Sequence, residues 1–335
     1  MANRAKKHHY NPKFYLAGFT RSGTQNEPLY VFDQQQIRQW QSTPANSGCE
    51  NGFYDVDLGT DVDPAIFESQ VLARLDGEFA RVIRTTVENE ALPEGDDFDV
   101  LLNFVAVMAT RTPRIRRLVG GVTDPVVQSP VKALVSTDDG WQRFLDLCPD
   151  LSNEFNDAEL QDYRAAILND EFTVDLNRTS HVQKILELST AMLPLLAQRE
   201  WAMGIAPPGM PDFVCSDAPV SAVPPPENGE WGLRNPEKQV ILPLTRRVVL
   251  LGSHEQRTPA FQMNELDVLW VNGLTIMEAR QVFSMEQEFA YLGSDKKRKS
   301  MADLKQSLRQ RGGTYSQLDE AVTHWFHARS TPPDE

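Results

Sequence analysis

The sequence predicts an α+β fold, predominantly α-helical with a small, mostly antiparallel β-sheet. It forms a single domain over residues 1–292, and a basic helical extension with a frayed tail follows over 293–335. Three observations predict this. Apolar residues recur at helical spacing along several long segments between residues 63 and 203. Short β-rich runs are confined to 28–33 and to a cluster between 212 and 252, where proline and glycine punctuate them. Finally, the 335 residues carry no repeat and no low-complexity tract, so a single large α+β unit accommodates them.

Taken in order, Arg21-Ser22-Gly23-Thr24 makes a turn before a strand over 28–33, Pro-Leu-Tyr-Val-Phe-Asp. Asp63 and Pro64 open a helix that runs to Asn89, with proline in the first turn where its missing N–H costs nothing. Leu75, Phe79, Val82 and Ile83 share one of its faces, and Leu92-Pro-Glu-Gly follows its end. A second helix spans Asp97 to Val119 and stops at Gly120-Gly121, carrying Val100, Phe104, Val107 and Met108 inward. Shorter helices cover Val126–Val135, Gly140–Leu147 and Asp157–Asn169. A long helix over Asn177–Met203 is kinked at Pro194. The texture then changes to strands near 212–216, 239–243 and 247–252. Helices over Glu265–Leu292, Met301–Arg311 and Ser316–Ala328 close the chain.

Composition excludes several classes. With 41% hydrophobic residues the chain has material for a core, which rules out a disordered or fibrous protein. Cys49, Cys148 and Cys215 have no CxxC spacing and leave one thiol over, which fits a reducing compartment better than a disulfide framework. The basic start is followed by Asn11, Pro12 and Lys13, not by an apolar run, so no signal peptide is read there, and no apolar stretch is long enough to cross a membrane. The expectation is a cytoplasmic protein. Its net charge of −14 opposes broad phosphate-backbone binding but leaves room for local basic sites. Two such regions exist, one of Arg4, Lys6, Lys7, His8 and His9 and one at Lys296–Lys299 with Lys305, Arg309 and Arg311.

Some polar residues fall where apolar ones belong. Glu68 lies within about 20° of Leu75 on its helix, Arg111 within about 20° of Phe104, and His181 within about 20° of Leu188. An unpartnered buried charge costs several kcal/mol, so an inward Glu and an inward Arg are expected to meet each other, a ligand or a metal. The bland alternative is an ion pair with a hydrogen-bonded histidine that pins helices together. The segment His8-His9-Tyr10-Asn11-Pro12-Lys13-Phe14-Tyr15-Leu16 is the densest local pattern: two imidazoles supply a metal ligand, a general base or phosphate donors if the aromatic residues hold them to the core. Ser216 and Asp217 end a strand, as a nucleophile or phosphate contact and a metal ligand or histidine orienter; turn chemistry explains them equally well. No Walker A loop, GxGxxG, GxSxG or HExxH occurs, which removes most of the weight from nucleotidase, dinucleotide-dependent, α/β-hydrolase and zincin readings.

These pieces, in their order, resemble a known family. His8-His9-Tyr10-x-Pro12-x-Phe14-Tyr15-Leu16, Asn51-Gly-Phe53-Tyr54, Glu68, Arg111-Thr112-Pro113, His181 with Trp201, Phe213-Val-Cys-Ser216-Asp217-x-Pro219 and Pro243-Leu244 resemble the bacterial domain of unknown function 4238, over residues 8–284. The resemblance implies a bacterial cytoplasmic protein. It also implies that His8, His9, Glu68, Arg111, His181 and Asp217 occupy the family's recurring polar positions. Cys215 stands where Thr or Ser is expected and Ala218 where Asn is expected, which argues against direct catalysis by either.

The functional expectation is a metal-dependent phosphoesterase, specifically a nuclease, serving stress response or phage defence. His8, His9, Glu68 and Asp217 hold a divalent Mg or Mn ion; His8 or His9 alternatively acts as the base, and Arg111 stabilises phosphoryl charge, with His181 and Ser216 in the same site. Nucleic acid or another phosphate-bearing ligand is the expected partner, and a protein partner docks through 296–311. The alternative is a non-enzymatic sensor or binding protein whose polar cluster recognises an anionic ligand or is structural.

Overall fold

The computed structural model describes residues 7–51, 73–120, 135–147, 155–169, 178–222, 239–255, 258–277 and 279–310, without the side chains of 117–120 and 178–185. Its contacts divide the chain into two compact units, one of Met1–Pro113 with Ile185–Glu335 and one of Arg114–Lys184.

The predominantly helical fold with a small sheet does not stand. The protein is mixed α/β: among the described residues, nine α-helices accompany thirteen strands in four sheets, one of them five-stranded. The strands are β1 (Lys7–His9), β2 (Leu29–Asp33), β3 (Arg38–Ser42), β4 (Cys49–Asn51), β5 (Glu200–Ile205), β6 (Cys215–Ser216), β7 (Ser221–Ala222), β8 (Val240–Pro243), β9 (Val248–Ser253), β10 (Ala260–Gln262), β11 (Gln281–Ser284), β12 (Ala290–Leu292) and β13 (Arg298–Ser300). The large sheet has the order β10-β5-β9-β8-β7, and a four-stranded sheet runs β3-β2-β11-β6. Ribbons β1-β4 and β12-β13 complete the set. Every pairing is antiparallel except that of β5 with β10.

Two long helices of the sequence reading therefore break into helix and strand. The helix expected over Asn177–Met203 ends at Ala197, and Glu200–Ile205 becomes β5, buried at five of its six residues between β9 and β10. Of its residues, Glu-Trp-Ala-Met-Gly-Ile, only Trp201 and Ile205 favour strands, and packing decides. Trp201 sits directly across from Gly252 of β9, where a Cβ would come within 2.9 Å of the indole ring. The indole also donates to the Leu196 carbonyl at 3.0 Å, which ties the strand to the end of the helix before it. Likewise the helix expected over Glu265–Leu292 stops at Met277, and Gln281–Ser284 becomes β11, inside the four-stranded sheet. No glycine or proline lies between Met277 and Leu292 to mark that change.

In the larger unit lie α1 (Lys13–Ala17), α2 (Ala73–Asn89), α3 (Asp96–Thr110), α8 (Glu265–Met277) and α9 (Met301–Gln310), with the part from Ile185 onward of the helix that ends at Ala197. The expected helix over Asp97–Val119 is cut at Arg111, because Pro113 disfavours helical geometry in the residue before it and starts α4 (Pro113–Gly120) as its first residue. The core centres on Phe104 of α3, fully buried, whose ring meets Phe14 at 6.0 Å, Tyr15 at 5.6 Å and Phe79 at 5.4 Å. α1 and α2 thereby pack on α3, and a satellite cluster of Phe32, Val214, Val282, Met301, Leu304 and Leu308 holds α9.

The smaller unit contains α5 (Asp138–Leu147), α6 (Asp157–Leu168) and the start of α7 (Arg178–Ala197). Trp141, Leu145, Leu160 and Ile167 bury against Val135. Asn156 and Glu159 form a reciprocal cap at the start of α6, and Arg164 donates to the Val135 carbonyl at 2.7 Å. The expected helices over Val126–Val135 and Ser316–Ala328 lie outside the described residues, apart from Val135 itself. Among the described residues no helix is long and apolar enough to cross a membrane.

Candidate functional site

The densest sequence motif becomes a buried ribbon. β1 pairs with β4 so that His8 faces Glu50 and His9 faces Cys49 in register. Successive side chains of a strand leave on opposite faces, so His8 and His9 point apart, and both are buried. The chain then turns at Asn11, whose amide donates to the Ser216 carbonyl at 2.8 Å and whose backbone N–H donates to Gly48 at 3.1 Å. Gly48 must be glycine: its φ is +61°, and a Cβ there would lie 2.8 Å from the Asn11 Cβ. Pro12 starts α1, and Tyr15 anchors it by donating to the Pro243 carbonyl at 2.6 Å.

His9 is held as a neutral imidazole. Its Nε2 bonds the Ala45 carbonyl at 3.2 Å, which assigns the proton to that nitrogen. Burial above all, then the ammonium of Lys13, and after it Arg111 and Lys7, depress its pKa to about 4 against the opposing pull of the Ala45 bond. A folded-state value below the unfolded one means that the unfolded chain takes up the proton first. Stability from this group is therefore complete above about pH 6.5 and is lost as the pH falls to about 4, amounting to about 3 kcal/mol. Comparing wild type with His9→Gln by urea unfolding between pH 7 and 4 isolates this loss from that of the carboxylates. An identical pH slope in the two proteins would refute the assignment.

Arg111 is the largest fully buried side chain of the described residues, 1% exposed. Its Nη1 donates to Asp76 of α2 at 2.9 Å and its Nη2 to the His9 carbonyl, so one guanidinium joins α2, α3 and the ribbon. The sequence reading named Glu68 as the inward carboxylate, which lies outside the described residues. Asp76 was missed although the same rule finds it: it stands seven residues before Ile83, within about 20° on the wheel.

Ser216 and Asp217 are occupied by the backbone. The Ser216 hydroxyl accepts from the Ala218 N–H at 3.2 Å. Asp217 Oδ1 accepts from the N–H groups of Arg280 at 2.9 Å and Gln281 at 3.0 Å, which clamps the start of β11 to the end of β6. Tyr10 reaches the same place, donating to Gln281 Oε1 at 3.1 Å, and burial followed by the charge of Asp217 pushes its phenol well above the usual range. Cys215 is buried beside Tyr15, and burial pushes its thiol up to about 12. His181 lies on α7 in the smaller unit, and its side chain is outside the described residues. The structure thus gathers His8, His9, Arg111, Ser216 and Asp217 around the ribbon, with Tyr10 and Asn11 of the same motif as connecting residues, and with Asp76 and Gln281, which the sequence does not single out. Among the described residues no group of three or more His, Cys, Asp and Glu side chains is placed to hold a metal ion.

The family described as "Protein of unknown function (DUF4238)" matches residues 7–288. The chain belongs to the DUF4238 family. Its match begins at the first residue of β1 and runs past β11, so it takes in every residue of the ribbon and of the clamp at Asp217. No curated protein and no solved structure matches this DUF4238 chain.

Proposed function

We propose that this DUF4238 protein is a binding protein that recognises a phosphate-bearing ligand at the edge of the His8-His9 ribbon. The supporting observation is the local field. In a chain of net charge −14, Lys13, Arg111 and Lys7 all act on His9 in one direction, and Lys7 and Lys13 are exposed there. Among the described residues Lys13 makes no hydrogen bond or ion pair, which leaves its ammonium for a ligand. Binding is favoured over hydrolysis because Arg111 and Asp217 are engaged in internal bonds.

A metal-dependent phosphoesterase, with nuclease activity as its specific form and Mg or Mn as its ion, is the second reading. One observation favours it: His9 is uncharged at neutral pH, the state that a metal ligand requires. Both readings meet in one experiment on the full chain, with labelled single-stranded DNA, tRNA and a nucleoside triphosphate as separate probes. The binding reading expects saturable, salt-sensitive binding of at least one probe, weakened about tenfold or more by Lys7→Glu with Lys13→Glu, and no product. Product formed only with Mg²⁺ or Mn²⁺, and lost in His9→Gln, would establish the second reading instead. Absence of both binding and product would end both.

A further inference from the structure

A pocket lies in the larger unit, built from residues that the ribbon does not use. It has a volume of about 790 Å³, within the range of small-molecule sites. Its apolar lining comes from Met210, Phe213 and Val214 ahead of β6, and from Met285 and Phe289 between β11 and β12. Around it stand the carboxylates of Asp212, Glu265, Glu286, Glu288 and Asp303, against two cations, Arg298 and Lys299.

The walls are fixed in advance by one buried side chain. Asn272 of α8, fully buried, accepts from the Val214 N–H at 3.0 Å and donates to the carbonyls of Asp212 and Ala290 at 2.9 Å each. Three lining residues on two separate chain segments are thus pinned to one helix. Next to it a Cβ at Gly273 would come within 2.7 Å of the Leu292 carbonyl, so α8 lies directly against β12. Such a wall needs no reorganisation to receive a ligand.

The charges sort by partner. Arg298 is bonded to Glu265, and Lys299 turns to Asp295, outside the lining, at 2.8 Å. Asp212 is neutralised by Arg246 at 3.1 Å and Arg247 at 2.9 Å, and Glu286 by Arg21 at 2.9 Å. Asp303 accepts only from Ser300, at 2.7 Å from its N–H and 2.8 Å from its hydroxyl, and keeps its negative charge. Glu288 makes no hydrogen bond or ion pair among the described residues. Both lining cations are therefore committed to carboxylates while two lining carboxylates have no cation bonded to them. Low-dielectric walls focus that negative field into the pocket.

We propose that this pocket binds a small organic cation, a primary amine carried on an apolar or aromatic body. The body lies on Met210, Met285 and Phe289, and the ammonium meets Glu288 and Asp303. This is independent of the phosphate reading, which uses other residues and the opposite charge.

The test is calorimetric titration of the full chain with 4-phenylbutylamine, using 5-phenylpentanoate as the isosteric anion. The amine is expected to bind and the carboxylate not to. Glu288→Gln, an exposed and fold-neutral change, should weaken the amine about fivefold, with salt acting in the same direction. Met210→Arg should abolish binding by adding a third cation to the lining while circular dichroism stays unchanged. Equal binding of both probes, no heat from the amine at millimolar concentration, or affinity untouched by either variant would overturn the proposal. So would binding of oligolysine without binding of the amine, which would make the site a docking surface for a basic polypeptide.

Discussion

Arg111→Met is expected to destabilise the protein by about 3–5 kcal/mol at pH 7, because one partner of a buried charge network is removed while the other groups stay behind. The guanidinium is 1% exposed and donates to acceptors on two different elements, among them Asp76 of α2 and the carbonyl of His9. Methionine fills much of the volume but satisfies neither acceptor. Asp76→Leu makes the complementary error, because it takes a bonded carboxylate away from an interior cation. The double variant removes both charges together and should recover more than 1 kcal/mol of the summed single losses. Equilibrium urea unfolding of the four proteins gives that coupling directly. A coupling below about 0.5 kcal/mol would mean that the two side chains do not depend on each other.

Phe104→Ala is expected to cost about 3–5 kcal/mol as well, by a different route: lost transfer energy plus a cavity that the surroundings cannot fill. The ring has three aromatic neighbours on two other elements, Phe14 and Tyr15 on α1 and Phe79 on α2, so collapse on one side opens the other. Because α1 continues directly from Pro12 and the ribbon, the same change should raise hydrogen exchange at the amides of β1. Leu186→Ala, at a side chain 42% exposed, is the control and should shift stability by less than about 0.5 kcal/mol. A loss below about 1 kcal/mol for Phe104→Ala would show that α1 is not held through this ring.

Parts of the site were legible because they rest on local pattern. The wheel placed Arg111 among Val100, Phe104 and Val107, and the guanidinium is indeed in the interior. The aromatic residues after His8-His9 marked a segment held to the core, and Tyr15, Leu16 and Phe19 are buried. That Arg111 bonds Asp76 was not legible, since the wheel places Asp76 inward but only the approach of α3 to α2 brings it within 2.9 Å of the guanidinium. The place of Asp217 at the end of a strand is legible in the sequence, but its clamp on Arg280 and Gln281 spans more than sixty residues of sequence.

What the sequence by itself determined is what neighbours along the chain enforce: the amphipathic faces of α2 and α3, the strands over 29–33, 240–243 and 248–253, and the family to which the chain belongs. Tertiary structure alone decided that Glu200–Ile205 and Gln281–Ser284 are strands and that the fold is mixed α/β, not mainly helical. A helix satisfies its hydrogen bonds within itself, so its signal is written in one segment. A strand satisfies them with a partner, and here the partners of β5 and β11 lie tens to hundreds of residues away.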